Sequence, residues 1–475
     1  MPVYRYRPLT EGEIRLVRLP DISFTPSTIT PEVTIIHTRS DTAKGPFETL
    51  SYVWGPNPDR QRIACGDGSF LWGGTNLVSA LGFLILRQKR EITSSALFWI
   101  DALCIYQDDK EEKEVQVAGM RHIYQSAKRT LAYPREPGDD SHLAFVYFHN
   151  ASAAIAHDFR TRLRSTDLAA EVRKTYYLAV DDSKFMQWAI QLRKSKLFLD
   201  CVHACASPDE KLFGPFQPYR TRILTAIASL LARPFFQRIW IVQEMAVSTE
   251  VVMVCGQDLC LLTTFQALLE AFRESKVRWD DFANEPTKLE IYKGMTQLSS
   301  VNTLRNDRME GKDGKSLLLL MQGCRTGRAT LAVDKIYALL GLTRERFPVE
   351  YEMGNLQSVE FKVNVYLRLA KYFIARHEGD NLLYEAARSD LTTADCLSWV
   401  PDWEQCPIRT NIGHTMSMMT RWYFDAFGHL KRRDQETPRK SAPDCEMKLS
   451  TNNTELVTEG AILQKILIVG SASTG

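Results

Sequence analysis

The sequence predicts an α/β protein in which a parallel sheet is flanked by helices, with a helical insertion and a mainly helical C-terminal region. Three observations lead there. Short runs rich in β-branched and aromatic residues alternate with longer runs whose apolar positions recur at helical spacing. That alternation breaks off after residue 134 and resumes at 231. Beyond about residue 260 the helical period prevails. Strands separated by helices of this length are the mark of βαβ units, which require parallel strands.

Residues 1–45 contain "EIRLVRL" and "EVTIIHT", both alternating with period two, and read as a short antiparallel element packed on the core. Residues 46–134 make the first part of the core. "TLSYVWG" (Thr49–Gly55) is a strand ending in a glycine turn. A helix follows, with Leu77, Leu81, Leu84 and Ile85 at helical spacing and Thr75 or Asn76 as N-cap. Then come the strand "ALFWIDALCI", a helix from about Lys110 to Ala127, and the strand "RTLAYP". Residues 135–230 are polar and mixed, as in "DFRTRLRSTDLAAEVRKTYYLA", and form the insertion. In the second part of the core, 231–260, Pro234 opens a helix that runs through Met245 into the strand "EVVMVCG". Residues 261–475 are mainly helical, as in "SVEFKVNVYLRLAKYFIARH", with "KRRDQETPRKSAPD" as a polar loop.

Composition removes several classes of function. The chain has 475 residues, enough for two or three domains or for one domain with large insertions. A net charge of +2 gives no case for nucleic acid or for an anionic membrane surface. "MPVYRYRPLTEGEIRLVRLPD" lacks the apolar segment of a secretory signal, and no run approaches the length of a membrane span. Ten scattered cysteines, several of them inside apolar runs (Cys65, Cys104, Cys255), suggest buried thiols in a reducing, cytoplasmic setting. "CVHAC" (Cys201, His203, Cys205) has no second cluster to complete a zinc site, so no metal is expected. "GDGSFLWGG" has neither dinucleotide nor Walker spacing, which argues against a bound cofactor of the dehydrogenase type.

Open parallel sheets bind ligands beyond the carboxyl ends of their strands. Ser51, Trp54 and Gly55 end one strand there, and Asp101 through Gln107 follow another. In the helix after Lys110, the stripe Gln116, Met120, Ile123, Tyr124 and Ala127 faces the sheet. One turn back it reaches Glu112, either a partner of the helix dipole or, with Gln116, the rim of a site. Glu111 and Glu114 point to solvent. Further on, Trp240 and Glu244 share one face of an almost wholly apolar helix, with Gln237 below them. A carboxylate buried there is either held by an arginine or lifted toward acid–base range by desolvation. Arg238 is the nearest arginine, but six positions along one helix is too far for direct pairing.

"TLSYVWG", "FWIDALCIYQDDKEEKEVQVAGMRHIYQSA", "RPFFQRIWIVQE", "DKIYALLGL" and "SWVPDW" together resemble the fungal HET (heterokaryon incompatibility) domain family, in family order over roughly residues 4–403. The opening "YRPLTEGEIRLVRL" and the Asn76-Leu77, Ala80-Leu81 pattern also fit. Tyr106 stands where the family usually has Asn. The resemblance implies a part in non-self recognition between hyphae and in regulated cell death. It also implies a distant likeness to TIR domains, hence a TIR-like (flavodoxin-like) parallel sheet, and some TIR domains cleave NAD. Their catalytic Glu sits in a "W-C-x-x-E" helix, and Trp240, Ile241 and Glu244 match that spacing with Ile in place of Cys.

Two functions from different classes follow. In the first, Glu244 is the catalytic carboxylate of a glycohydrolase with NAD as substrate, active on self-association. Ser51, Trp54, Gly55, Asp101, Gln107, Glu112, Gln116, Arg238 and Trp240 would then line the site. In the second, the domain assembles with itself or with an incompatibility partner and triggers death without chemistry. Glu244, Asp101 and Ser51 facing one concave pocket would favour the enzyme. A Glu244 sealed in the core and paired to an arginine would favour the module.

Overall fold

A computed structural model of the chain describes residues 1–20, 32–39, 47–55, 60–88, 96–135, 138–148, 220–256, 258–266, 269, 279–312, 314–351, 358–376, 378, 382, 385–386, 397, 399–404, 447–449 and 456–458. Two compact units divide the chain, residues 1–356 and 357–475.

The first unit is built on one mixed sheet of nine strands. These are β1 (Glu13–Arg18), β2 (Glu32–Arg39), β3 (Glu48–Tyr52), β4 (Arg60–Cys65), β5 (Phe70–Gly74), β6 (Leu97–Trp99), β7 (Thr130–Tyr133), β8 (Val251–Cys255) and β9 (Asp258–Leu261), in the spatial order β5-β4-β2-β1-β6-β3-β7-β8-β9. Within it β6, β3, β7 and β8 run parallel. Every residue of β3, β7 and β8 is buried, as a parallel core covered on both faces requires. The antiparallel pair β1–β2 does not sit apart: β1 pairs antiparallel with β6 and carries β2, β4 and β5 outward from it. β4 and β5 have no counterpart in the sequence reading. They form a hairpin around Asp67 and Gly68, the latter at φ +81°, in the stretch where phosphate-loop spacing is lacking.

Described helices of this unit include α1 (Thr75–Gln88), α2 (Asp101–Cys104), α3 (Lys110–Ser126), α4 (Arg220–Leu231), α5 (Trp240–Val247), α6 (Glu285–Met309), α7 (Leu317–Gly323) and α8 (Asp334–Leu340). Asp109 caps α3 by accepting from the Glu112 N–H at 2.9 Å, and the whole expected stripe of α3 from Gln116 to Ala127 is buried. α5 packs between α3, α6 and α8 and lies against β7.

Three expectations need correction. The strand "ALFWIDALCI" ends at Trp99, and Asp101 opens the helical turn α2 instead, because the Leu103 and Cys104 N–H groups turn back to the Ile100 carbonyl at 3.0 and 2.8 Å. The helix from Pro234 to Met245 is two segments, a 3-10 turn Pro234–Gln237 and then α5. Glu114 is not free surface: it accepts from the Tyr351 N–H at 2.6 Å. Most of the 135–230 insertion, the "CVHAC" cluster and the "KRRDQETPRKSAPD" loop lie outside the described residues.

The second unit contains α9 (Val359–Ala375), capped by the Ser358 hydroxyl at 3.0 Å, and the antiparallel pair β10 (Met447–Leu449) and β11 (Leu456–Thr458). Trp403 packs edge-on against Tyr366 of α9, ring centres 5.2 Å apart.

Candidate functional site

Ser51 and Tyr52 end β3 at the carboxyl edge of the parallel core. The chain reaches this edge again at Arg238, where the helix breaks. Arg238 is extended (φ −66°, ψ 134°) and bridges in parallel to Arg328, with the Ile239 N–H on the Arg328 carbonyl at 2.8 Å. That break reverses the argument about reach. In one continuous helix Arg238 would be too far from Glu244, but here its Nη1 donates to the Tyr52 carbonyl and lies 3.9 Å from Glu244 Oε1. α5 then starts at Trp240 and brings Glu244 directly onto Ser51, whose hydroxyl donates to Oε2.

The centre is dry. Glu244 and Ser51 are each 1% exposed. Burial lifts the Glu244 carboxyl from 4.5 to about 6; Arg238 and the Ser51 hydroxyl pull it down, and Asp101 pushes it further up. Desolvation also raises Asp101, against Arg238, the Trp54 indole and the Ala102 N–H. Arg238 thus lowers both carboxyls, but desolvation outweighs it at each.

Around this centre the structure gathers several residues expected from the sequence. The Trp54 indole N–H donates to Asp101 Oδ2 at 2.9 Å, joining the carboxyl ends of β3 and β6. Gln107 Nε2 donates to the Asp101 carbonyl at 3.1 Å. Gly55, at φ +80°, takes the turn that follows, and a Cβ there would meet Asn76 Nδ2 at 3.0 Å. Asn76 itself donates to the Val53 carbonyl at 3.0 Å, so α1 holds the end of β3.

Other expected residues are engaged elsewhere. Glu112 grips Arg15 of β1 with both oxygens, at 2.5 and 2.8 Å, and also accepts from the Tyr106 N–H at 2.7 Å. Arg15 is fully buried, lies over the Tyr6 ring at 4.8 Å and donates to the Cys104 carbonyl at 3.0 Å, so this pair fastens the α2–α3 loop to the sheet. Gln116 is buried, and its Oε1 has no partner among the described residues. Trp240 turns to α8, its indole N–H donating to Asp334 Oδ2 at 3.1 Å, while the Tyr351 hydroxyl donates to Oδ1 at 2.9 Å.

Sequence reasoning missed Asp334. It is the Asp of "DKIYALLGL", desolvated and raised, and Arg238 and Lys113 both act on it. Its place in one of the stretches that carry the resemblance was a signal that periodicity alone does not give. Tyr124 was assigned only to the core stripe, and its hydroxyl has no hydrogen-bond partner among the described residues.

An indentation lined by Arg121, Val247, Arg308 and Lys315 lies at the C-terminal end of α5. Cys65, Cys104, Cys255, Cys260 and Cys324 are free and buried, and no described helix is long and apolar enough to cross a membrane.

Residues 47–244 match the family model of the heterokaryon incompatibility protein (HET), a span that starts just before β3 and ends on Glu244 itself. Over those residues the chain is similar to the HET domain. Ser51, Trp54, Asp101, Arg238 and Glu244 all lie within the HET span, whereas Arg15, Asp334 and Tyr351 lie outside it. A relative that this chain resembles is "Heterokaryon incompatibility protein 6, OR allele" of Neurospora crassa, 24% identical over 394 residues, which is 75% of this chain and 53% of the relative. The chain therefore spans about half the length of the curated relative it matches. No solved structure matches it.

Proposed function

We propose that the chain acts in fungal heterokaryon incompatibility, in the cytoplasm, as a module that assembles with itself or with a partner and so triggers cell death. The HET match and the named relative support the biological role. The mode rests on one observation: Glu244 is 1% exposed and covered by Ser51 and Arg238, the disposition of a carboxyl sealed in the fold rather than of an open active site.

A second reading, cleavage of NAD in the TIR manner, is favoured by how loosely Glu244 is paired. At 3.9 Å, with the same guanidinium committed to the Tyr52 carbonyl, Arg238 leaves the carboxyl at about 6. A buried group shifted this way is a candidate for chemistry. The parallel strands also support a TIR-like, flavodoxin-like core: numbered in chain order, β3, β6, β7 and β8 stand as 2-1-3-4. In this reading the bond between nicotinamide and ribose breaks, its electron pair leaves with the nicotinamide, and the Glu244 carboxylate stabilises the oxocarbenium charge. Water then adds to the ribose carbon and releases a proton. Glu244 would have to become accessible, which ties turnover to assembly.

NAD consumption by the wild type and by Glu244→Ala, from dilute to self-associating concentrations, separates the two, with hyphal death scored in parallel. The module predicts no turnover by the assembled wild type and death that survives the substitution. Turnover on assembly that Glu244→Ala abolishes, together with death, would replace the module by the enzyme.

A further inference from the structure

α8 holds α5 at two points, and the two are built differently. At one, the Gly341 N–H just past α8 donates to Gln243 Oε1 at 3.2 Å, and Arg121 of α3 donates to the Gly341 carbonyl at 2.7 Å. Gly341 leaves no room for a Cβ, which would meet Gln243 Oε1 at 2.5 Å, so this end is backbone pressed on α5. At the other, the tie is a single carboxylate. Asp334 Oδ2 takes the Trp240 indole N–H at 3.1 Å, while Oδ1 takes the Tyr351 hydroxyl at 2.9 Å. Asp334 is buried, so loss of the Tyr351 donor strands an acceptor away from water. The carboxylate must then turn or be hydrated, and its bond to α5 goes with it.

Tyr351 is 1% exposed, yet it ends a stretch, residues 345–350, that is neither helix nor strand. Its ties come from two helices. The Tyr351 N–H donates to Glu114 of α3 at 2.6 Å, and its ring meets Tyr337 of α8 edge-on, centres 5.3 Å apart. The Lys113 ammonium lies over the same ring at 4.5 Å, and the Tyr337 hydroxyl donates to the Glu350 carbonyl at 2.9 Å. Irregular backbone pinned by side chains opens at lower free energy than helix or strand. These residues lie beyond the HET match, which ends at 244, and before the end of the first unit at 356. We propose that Tyr351 is a releasable latch: withdrawn from Asp334, it lets α8 pivot about Gly341 and frees α5 to uncover Glu244. Its consequence rests on the module reading, in which the freed α5 face is the one that assembles.

Two full-chain variants test the latch by hydrogen–deuterium exchange against the wild type. Tyr351→Phe keeps the ring and removes the hydroxyl. Glu114→Ala removes the acceptor of the Tyr351 N–H from outside α5, since Glu114 pairs with Tyr351 and Lys110. In each variant the amides of Glu244 to Val247 should exchange about tenfold faster, with those of β3, β7 and β8 unchanged. The double variant should exchange no faster than Tyr351→Phe alone, because both substitutions act through one residue. Unchanged exchange in α5 would overturn the proposal. So would exchange that rises equally in the three strands, or variants that do not fold, because a latch opens without loss of the fold. Light scattering on the same samples tests the module separately, and the variants should associate at lower concentration than the wild type. Faster α5 exchange with no association at any concentration would uphold the latch and sink the module reading alone.

Discussion

The Glu244 carboxyl has an ordinary value of 4.5 and stands at about 6 in the fold, so the folded chain binds its proton more tightly than the unfolded chain does. Between those two values the native state holds the extra proton, and stability therefore falls as pH rises through the window. Glu244→Gln keeps the shape and removes the ionisation. Its stability should match the wild type below about pH 4.5 and exceed it by up to about 2 kcal/mol above pH 7. Urea unfolding of both proteins at pH 4.5 and 8 checks this, and a variant less stable at pH 8 would contradict the desolvation account. The sequence showed that Glu244 would be buried, because its neighbours are apolar nearly all round. It could not show whether an arginine neutralises it, since that depends on where the backbone leaves the helix. Glu112 is the converse case: its inward phase on α3 was legible, but its partner Arg15 lies 97 positions away on another strand. Long-range pairs of this kind leave no local pattern.

Helices follow their periodicity where packing agrees with it and break where a tertiary hydrogen bond competes. α3 was legible almost to the residue because Asp109 caps it and its apolar stripe is regular. The Pro234 helix was not, because the Arg238–Arg328 bridge pulls one residue out of register, and nothing near Arg238 announces Arg328. β4 and β5 were missed because β4 opens on three exposed residues and shows no clean alternation. Close approach between elements is just as invisible in sequence. Gly294 sits inside α6, where Ala is intrinsically better by about 1 kcal/mol. A Cβ there would press on the Leu231 carbonyl at the end of α4 and come within 3.2 Å of Phe236 Cβ. Backbone cannot swing aside as a side chain does, so overpacking of about 1–3 kcal/mol should win. Gly294→Ala is expected to destabilise the protein by about 1 kcal/mol or more in urea unfolding. A gain in stability would mean that α4 and α6 slide apart freely.

At the scale of the molecule, the family match and the folding unit do not coincide. Residues 47–244 contain β3 to β7, yet in the sheet β1 and β2 stand between β4 and β6. Cutting at 47 therefore severs the β4–β5 hairpin from the parallel core and leaves Glu112 without Arg15. Cutting at 244 falls inside α5 and removes β8, whose residues Val251 to Met253 pair with Thr130 to Ala132 of β7. Both cuts expose sheet edges that are buried in the chain, and exposed apolar edges associate. Truncation after 356 does neither, because all nine strands and α1 to α8 fall within the first unit. The fragment 1–356 should be soluble and unfold in one cooperative transition, whereas 47–244 should aggregate or show no cooperative transition. Near-ultraviolet circular dichroism and urea unfolding of both fragments make the comparison. A cooperative 47–244 fragment would mean that the carboxyl-edge centre closes without β1 and β8. The account of how Ser51, Arg238 and Glu244 are brought together would then have to start from β3, β7 and α5 alone.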